Sequence, residues 1–165
     1  MDIRTETPSD HDAIARVIEI AFARAAHASG IEAAIVERLR ARGQLTLSLV
    51  AEEAGQVVGH VTFSPVTISD GTAGWCGLGP VAVLPDFQGS GIGRQLIEHG
   101  LDALRALGAN GCVLLGDPAY YGRFGFSSGP ELVYPGPPAE YFQSLALKAG
   151  SRAQGVVAYD EAFEA

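Results

Sequence analysis

The sequence predicts a mixed α/β (α+β) fold, and three observations carry that expectation. Apolar runs of strand length stand at 45–52, 56–68 and 75–84. Two stretches before them and one after repeat their apolar residues at helical spacing. Between the apolar run Leu78–Leu84 and the last of these helices lies Gln88-Gly89-Ser90-Gly91-Ile92-Gly93-Arg94, with glycine at alternate positions. A strand, a glycine-rich turn and a helix start in that order form an anion cradle. Glycine admits a ligand close to the backbone, and the unpaired N–H groups of the helix start face it.

The elements follow in order. Ile3–Glu6 reads as a short strand. Thr7, Pro8 and Asp10 then form a capping-box start, and Ile14, Val17, Ile18, Ala21 and Phe22 make one helical face. His11 and His27 fall on the polar side or beyond it and are expected in solvent. Ala25–Gly30 is a small-residue break. Ile31–Arg42 is a second helix, with Ile35, Val36 and Leu39 inward and Gly43 at its end.

Leu45–Glu52 and Gln56–Ile68 read as strands joined by a hairpin turn at Glu53-Ala54-Gly55. On the second strand Val57, Val61 and Phe63 share one face and His60 and Thr62 the other, so His60 is expected on a half-exposed face. Asp70-Gly71 turns the chain into a strand from Trp75 to Leu84, which Pro85 ends.

From Ile92 to Leu107 the apolar residues Ile92, Leu96, Ile97, Gly100, Leu101, Ala103, Leu104 and Leu107 cover about half of the helical wheel. Arg94, Glu98, Asp102 and Arg105 take the other half, His99 sits at the rim, and Gly108 closes the helix. Cys112–Leu115 is another apolar strand and Ala119–Phe124 a short helix. Phe142–Leu147 and Gly155–Tyr159 are expected to complete the sheet as a late hairpin.

Composition bounds the function. A chain of 165 residues with 18% charged and 47% hydrophobic residues suits a single globular domain spanning 1–165. No apolar run approaches the 18 or so residues of a membrane span, and Met1-Asp2-Ile3-Arg4-Thr5 lacks the form of a signal peptide. A cytoplasmic protein with no membrane partner is the expectation. The net charge of −8, with Lys148 the single lysine, speaks against a nucleic-acid partner and mildly favours a cationic substrate. Cys76 and Cys112 have no metal-ligand spacing and read as buried free thiols, so no metal site is expected.

The spacing of the glycines excludes the common phosphate motifs. A dinucleotide site wants G-x-G-x-x-G and an acid about 20 residues on. Here the pattern is Gly89-x-Gly91-x-Gly93, and Asp102 falls inside the helix. A P-loop wants G-K-[ST], and Gly93 is followed by Arg94-Gln95. The pattern Q-x-x-G-x-G at Gln88–Gly93, preceded by Val81-Ala82-Val83-Leu84-Pro85, instead resembles the acetyl-CoA motif of the GNAT-type N-acetyltransferases. A second match, Tyr121-Gly122-Arg123-Phe124-Gly125-Phe126, is similar to that family's Y-x-x-x-G-F signature and stands in its order.

The resemblance implies a GNAT fold: a central, mixed, mostly antiparallel sheet, splayed in the middle and flanked by helices. It also implies acetyl-CoA as cosubstrate and acetyl transfer to a primary amine by direct attack in a ternary complex. Cofactor contacts carry over to Val81, Ala82 and Val83, whose backbone would pair with the pantetheine arm, and to Gln88, Gly89, Ser90, Gly91, Ile92, Gly93 and Arg94. Tyr121 carries over as the general acid, with Tyr120 as the neighbouring alternative, since one residue turns a helix by about 100°. The segment Gly116-Asp117-Pro118-Ala119-Tyr120-Tyr121 lacks the family's N-x-x-A, and Asp117 is the residue that could substitute. This block is similar to that of a subgroup of uncharacterised substrate.

The partner implied is a small-molecule or peptide amine, with a homodimer left open. Glu52, Glu53, His60 and Asp70 are candidates for the base. A non-catalytic acyl-CoA-binding sensor on the same fold is the alternative, and a nucleotide-binding protein unrelated to CoA is a third reading.

Overall fold

A computed structural model describes residues 1–23 and 30–164 of the chain. His27 and most of the break at 25–30 lie outside the described residues.

Strand β1 (Asp2–Thr5) leads through a short 3-10 turn at Pro8–Asp10 into helix α1 (His11–Phe22). The capping box is present: the Thr7 N–H donates to Asp10 Oδ2 at 2.7 Å. Asp10 is buried, and Arg4 reaches it with two bonds of 2.8 and 3.0 Å. That guanidinium, with the Thr7 contacts, holds the Asp10 carboxyl well below the usual carboxylate range. Helix α2 (Glu32–Ala41) buries Ile35, Val36 and Leu39 as its pattern requires.

Strands β2 (Leu47–Glu53) and β3 (Gln56–Pro65) form the expected hairpin. Both turn residues are left-handed, Ala54 at φ 50° and Gly55 at φ 80°. The long second run divides, because β3 ends at Pro65 and β4 (Thr67–Ile68) joins a different sheet. Strand β5 (Trp75–Val83) pairs with β3 and, through helix α3 (Ile92–Ala106), leads to β6 (Gly111–Leu115). Short helix α4 (Pro118–Tyr121) and a 3-10 turn at Gly122–Phe124 precede β7 (Leu132–Val133), β8 (Phe142–Ala146) and β9 (Gly155–Ala158).

Among the described residues, six strands form the main sheet in the order β1-β2-β3-β5-β6-β8. All of its neighbours are antiparallel except β5 and β6. That parallel pair is short. Trp75, Cys76 and Gly77 match Gly111, Cys112 and Val113, and beyond Gly77 the strands part. There β5 stays with β3 as far as Val83, while β6 follows β8 to Leu115. The sheet is therefore mixed, mostly antiparallel and splayed.

The late hairpin does not form. Strand β8 completes the main sheet, but β9 sits between β4 and β7 in a second, three-stranded sheet. Its apolar residue Val157 is buried with Ile68, Trp75 and Phe142 in one apolar layer.

Strand β3 is buried on both faces. Gly59 lies under Leu96 and Ile92 of α3, and Phe63 fills the space beside Gly100, so the odd-numbered residues of β3 face α3. Val58, His60, Thr62 and Ser64 face the other side. On α3 the expected apolar residues are buried except Ala103, which is half-buried, and Leu107, which is 66% exposed just beyond the last turn. Any side chain at Gly100 would overlap the Phe63 ring. Overpacking of this kind costs about 1–3 kcal/mol. A Gly100→Val change is thus expected to lower the melting temperature by about 5–10 °C, read by thermal denaturation.

Candidate active site

The turn before α3 builds the first half of the site. Pro85–Phe87 turns the chain off β5, and the loop is then tied back to it. Gln88 Nε2 donates to the Val83 carbonyl at 3.0 Å, and Ser90 Oγ to the Phe87 carbonyl at 2.7 Å. Gly89 and Gly91 adopt φ of 80° and 88°, which an L side chain resists. A Cβ on Gly89 would meet nothing within 4 Å, and one on Gly91 only Gln95 Nε2 at 3.9 Å. Packing therefore does not demand these glycines. The backbone path does, and their bareness leaves open space in front of the helix start. The first intrahelical bond is Gln95 N–H to the Gly91 carbonyl, so the N–H groups ahead of it are free for an anion.

A cleft of about 420 Å³ opens there, between this loop, Val83 at the end of β5, and the side chains of Tyr120 and Arg123. Its shape and donors fit a phosphate-bearing ligand. Gln88, Gly89, Gly91, Ile92, Gly93 and Arg94 line it, while Ser90 faces solvent behind the loop. Val81 and Val83 point toward α3 in the register of Val61 and Gly59. Ala82 is buried on the opposite face, paired with His60.

The two adjacent tyrosines serve different ends of this region. Tyr120 places its hydroxyl 3.7 Å from the Cβ position of Gly93, over the first turn of α3. Tyr121 turns its ring onto Gly116, just past the end of β6, with Phe126 edge-on at 6.3 Å. Gly116 is itself pinned: its N–H donates to the Tyr141 carbonyl and its carbonyl accepts from Gln143 Nε2 at 3.0 Å. The Tyr121 ring thus stands where β6 has left β5. Among the described residues its hydroxyl meets no protein partner. Burial, then the neighbouring Tyr120, pushes Tyr121 up to about 12, so it stays protonated at neutral pH. Asp117 does not reach across the cleft. It caps α4, accepting from Ala119 N–H at 2.9 Å.

The candidate bases lie elsewhere. Glu52 is paired with Arg4, and Asp70 organises its own turn by accepting from the N–H groups of Thr72 and Gln154. Glu53 belongs to the β2–β3 hairpin, at the far end of β2. His60 is not half-exposed but wholly buried, because α1 packs over the sheet there and α2 packs against α1. Its Nε2 lies 2.7 Å from Ser48 Oγ, which bonds the Glu6 carboxylate, and Arg40 and His11 reach that same carboxylate. His11, expected in solvent, is therefore part of this network. His99 likewise sets Nδ1 2.8 Å from the Gln95 carbonyl.

Burial lowers His60 to about 4, against a smaller opposing effect of Glu6. A histidine so depressed is a poor base for an ammonium ion. It has a consequence for stability instead. Between pH 6.5 and 4 the unfolded chain takes up a proton that the folded chain refuses, so stability falls as pH falls through that window. The loss amounts to about 3 kcal/mol. Melting temperatures are expected to drop between pH 6.5 and 4.5. A His60→Asn variant, less stable at pH 7, should show a flatter profile there.

Cys76 and Cys112 are free and buried, as expected, in register on adjacent strands, and burial pushes both thiols up. No helix among the described residues is long and apolar enough to cross a membrane.

Residues 44–128 match the acetyltransferase (GNAT) domain family. The chain belongs to the GNAT acetyltransferases. It is 40% identical to the Escherichia coli (strain K12) protein called uncharacterized N-acetyltransferase YhbS, over 99% of this chain and 98% of that one. A crystal structure of a GNAT family acetyltransferase from Brucella melitensis in complex with acetyl-CoA is similar over 99% of this chain and 97% of its own, with 52% identity and a TM-score of 0.88. The Escherichia coli YhbS structure, in complex with CoA, reaches a TM-score of 0.91 at 39% identity, covering 99% and 92% of the two chains. As a GNAT domain, the chain carries its glycine loop and its Tyr121 block within the matched span or at its edge.

Two features of the site were not read from the sequence. Arg123 and the Gly116–Gln143 anchor emerge only from packing. The spacing of Tyr120 and Arg123 at i and i+3 was the one available signal for the former.

Proposed function

We propose that this GNAT acetyltransferase moves an acetyl group from acetyl-CoA to a primary amine by direct attack in a ternary complex. The observation that carries the reading is the pairing of two ends of one region. A glycine-built anion cradle stands at the start of α3, and the unpartnered Tyr121 hydroxyl stands where β5 and β6 part. The complexes of the Brucella and Escherichia coli relatives with acetyl-CoA and CoA support acetyl-CoA as the cosubstrate.

In this reading the N–H groups at Gly89–Arg94 take the pyrophosphate, and the exposed edge of β5 at Val81–Val83 pairs with the pantetheine arm. The thioester then falls between the parted strands. The amine nitrogen forms a bond to the carbonyl carbon, the carbon–sulfur bond breaks, and the thiolate leaves with the electron pair. Tyr121 donates to that sulfur, and the nitrogen gives up its proton to water. A free thiol has a pKa of about 8.5, so proton donation from Tyr121 is uphill in water. The burial that raises Tyr121 also raises a thiol formed beside it, which narrows the gap.

No carboxylate or histidine of the described site stands ready as a direct base, and a water-mediated path for the amine proton fits the depressed His60. The acceptor is a small-molecule or peptide amine. Cytoplasmic location fits the two free thiols.

Calorimetric titration with acetyl-CoA and CoA, followed by thiol release against a panel of amines, tests this directly. Binding with amine-dependent thiol release is the expected result. Binding without release from any amine would point to the sensor on the same fold.

A further inference from the structure

We propose that Arg123 is a phosphate-binding residue of the acetyl-CoA cleft, and that the face of Tyr120 holds it in position. This rests on the acetyl-CoA reading above and extends it to two side chains. Arg123 lines the cleft opposite the glycine loop. Its guanidinium lies 4.4 Å from the centroid of the Tyr120 ring, and its Nε donates to the Tyr120 carbonyl at 2.9 Å. One of the five guanidinium N–H groups is thereby used, and four remain for a ligand. Stacking on an aromatic face fixes the plane of the fork, which suits two-point recognition of a phosphate.

The charge of this arginine is left unneutralised by the described residues. Five of the nine described arginines hold a carboxylate: Arg4 holds Asp10, Arg40 holds Glu6, Arg42 holds Asp160, Arg94 holds Glu98 and Arg105 holds Asp102. Arg123 makes no ion pair among the described residues. At a net charge of −8 the molecule repels a polyanionic ligand as a whole. An unneutralised guanidinium at the mouth of the anion cleft offsets that repulsion where it matters. Tyr120, with its hydroxyl over the first turn of α3 and its ring beneath Arg123, is a positioning residue in this arrangement.

The test is calorimetry of the full chain with acetyl-CoA, CoA and 3′-dephospho-CoA at low and high salt. Hydrogen bonds to charged groups contribute enough that Arg123→Ala should bind acetyl-CoA about tenfold to a hundredfold more weakly, with a shallower salt dependence. Arg123→Lys should fall between that variant and wild type. Tyr120→Phe keeps the ring and should bind acetyl-CoA normally, whereas Tyr120→Leu should lose affinity severalfold.

An equal loss on CoA and its dephospho form assigns Arg123 to the pyrophosphate. A loss confined to CoA assigns it to the 3′-phosphate, and either supports the proposal. Unchanged affinity and salt slope in a folded Arg123→Ala would overturn it while leaving the transferase reading intact. Failure of the wild-type chain to bind acetyl-CoA would remove both.

Discussion

Tyr121→Phe is expected to lower kcat about a hundredfold while leaving acetyl-CoA affinity within about twofold of wild type, the usual effect of losing a positioned acid. The substitution removes one oxygen and keeps the ring that covers Gly116 and meets Phe126. Fold and cleft should therefore survive, and the melting temperature should barely move. The pH profile adds a second readout. With Tyr121 raised to about 12, it remains protonated through the alkaline range of ordinary assays. The rate should then rise as the acceptor amine loses its proton, at about 8 for an α-amine or 10.4 for a lysine-type amine. No falling limb is expected below pH 10. Full activity in Tyr121→Phe would remove Tyr121 from the chemistry. If Tyr120→Phe were the slow variant instead, the roles of the two tyrosines would be exchanged.

Gly91→Trp should abolish acetyl-CoA binding, by at least about a hundredfold or ~2.7 kcal/mol, in a protein that still folds. Gly91 sits at φ 88° at the very start of α3, exposed, with open space where a side chain would project. A non-glycine residue there costs roughly 1–2 kcal/mol of backbone strain. That is a modest loss for a chain of this size, about 2–8 °C in melting temperature. The indole itself would occupy the cleft. Normal acetyl-CoA affinity in this variant would take the glycine loop out of the binding site. A milder Gly91→Ala change separates the two effects, since it carries the strain and adds only a methyl group to the cleft.

The parts of the molecule legible in the sequence are those with a local cause. Alternating glycines followed by a 3.6-residue apolar repeat specify a loop and a helix without reference to the rest of the chain, and α3 runs from Ile92 as that pattern demands. The capping box at Thr7–Asp10 and the Ala54-Gly55 turn are equally local. So is the Tyr121–Phe126 block, where Gly125 at φ 97° ends the turn after α4.

Tertiary contacts decided what local pattern leaves open. A four-residue strand such as Gly155–Ala158 is satisfied by any free edge of suitable register. Its pairing with Thr67–Ile68, some ninety residues away, follows from the apolar layer it must cover. His60 occupies an alternating position that reads as half-exposed. Only the docking of α1 on the sheet, with α2 packed against it, buries it and depresses its basicity. Tyr120 and Tyr121 are identical neighbours to any one-dimensional reading. The turn of α4 sends one hydroxyl to the glycine loop and the other to the parting of β5 and β6, because Gly116 has room for one ring and Arg123 stacks on the other. Local spacing names the chemistry; the direction in which each side chain points depends on what has packed behind it.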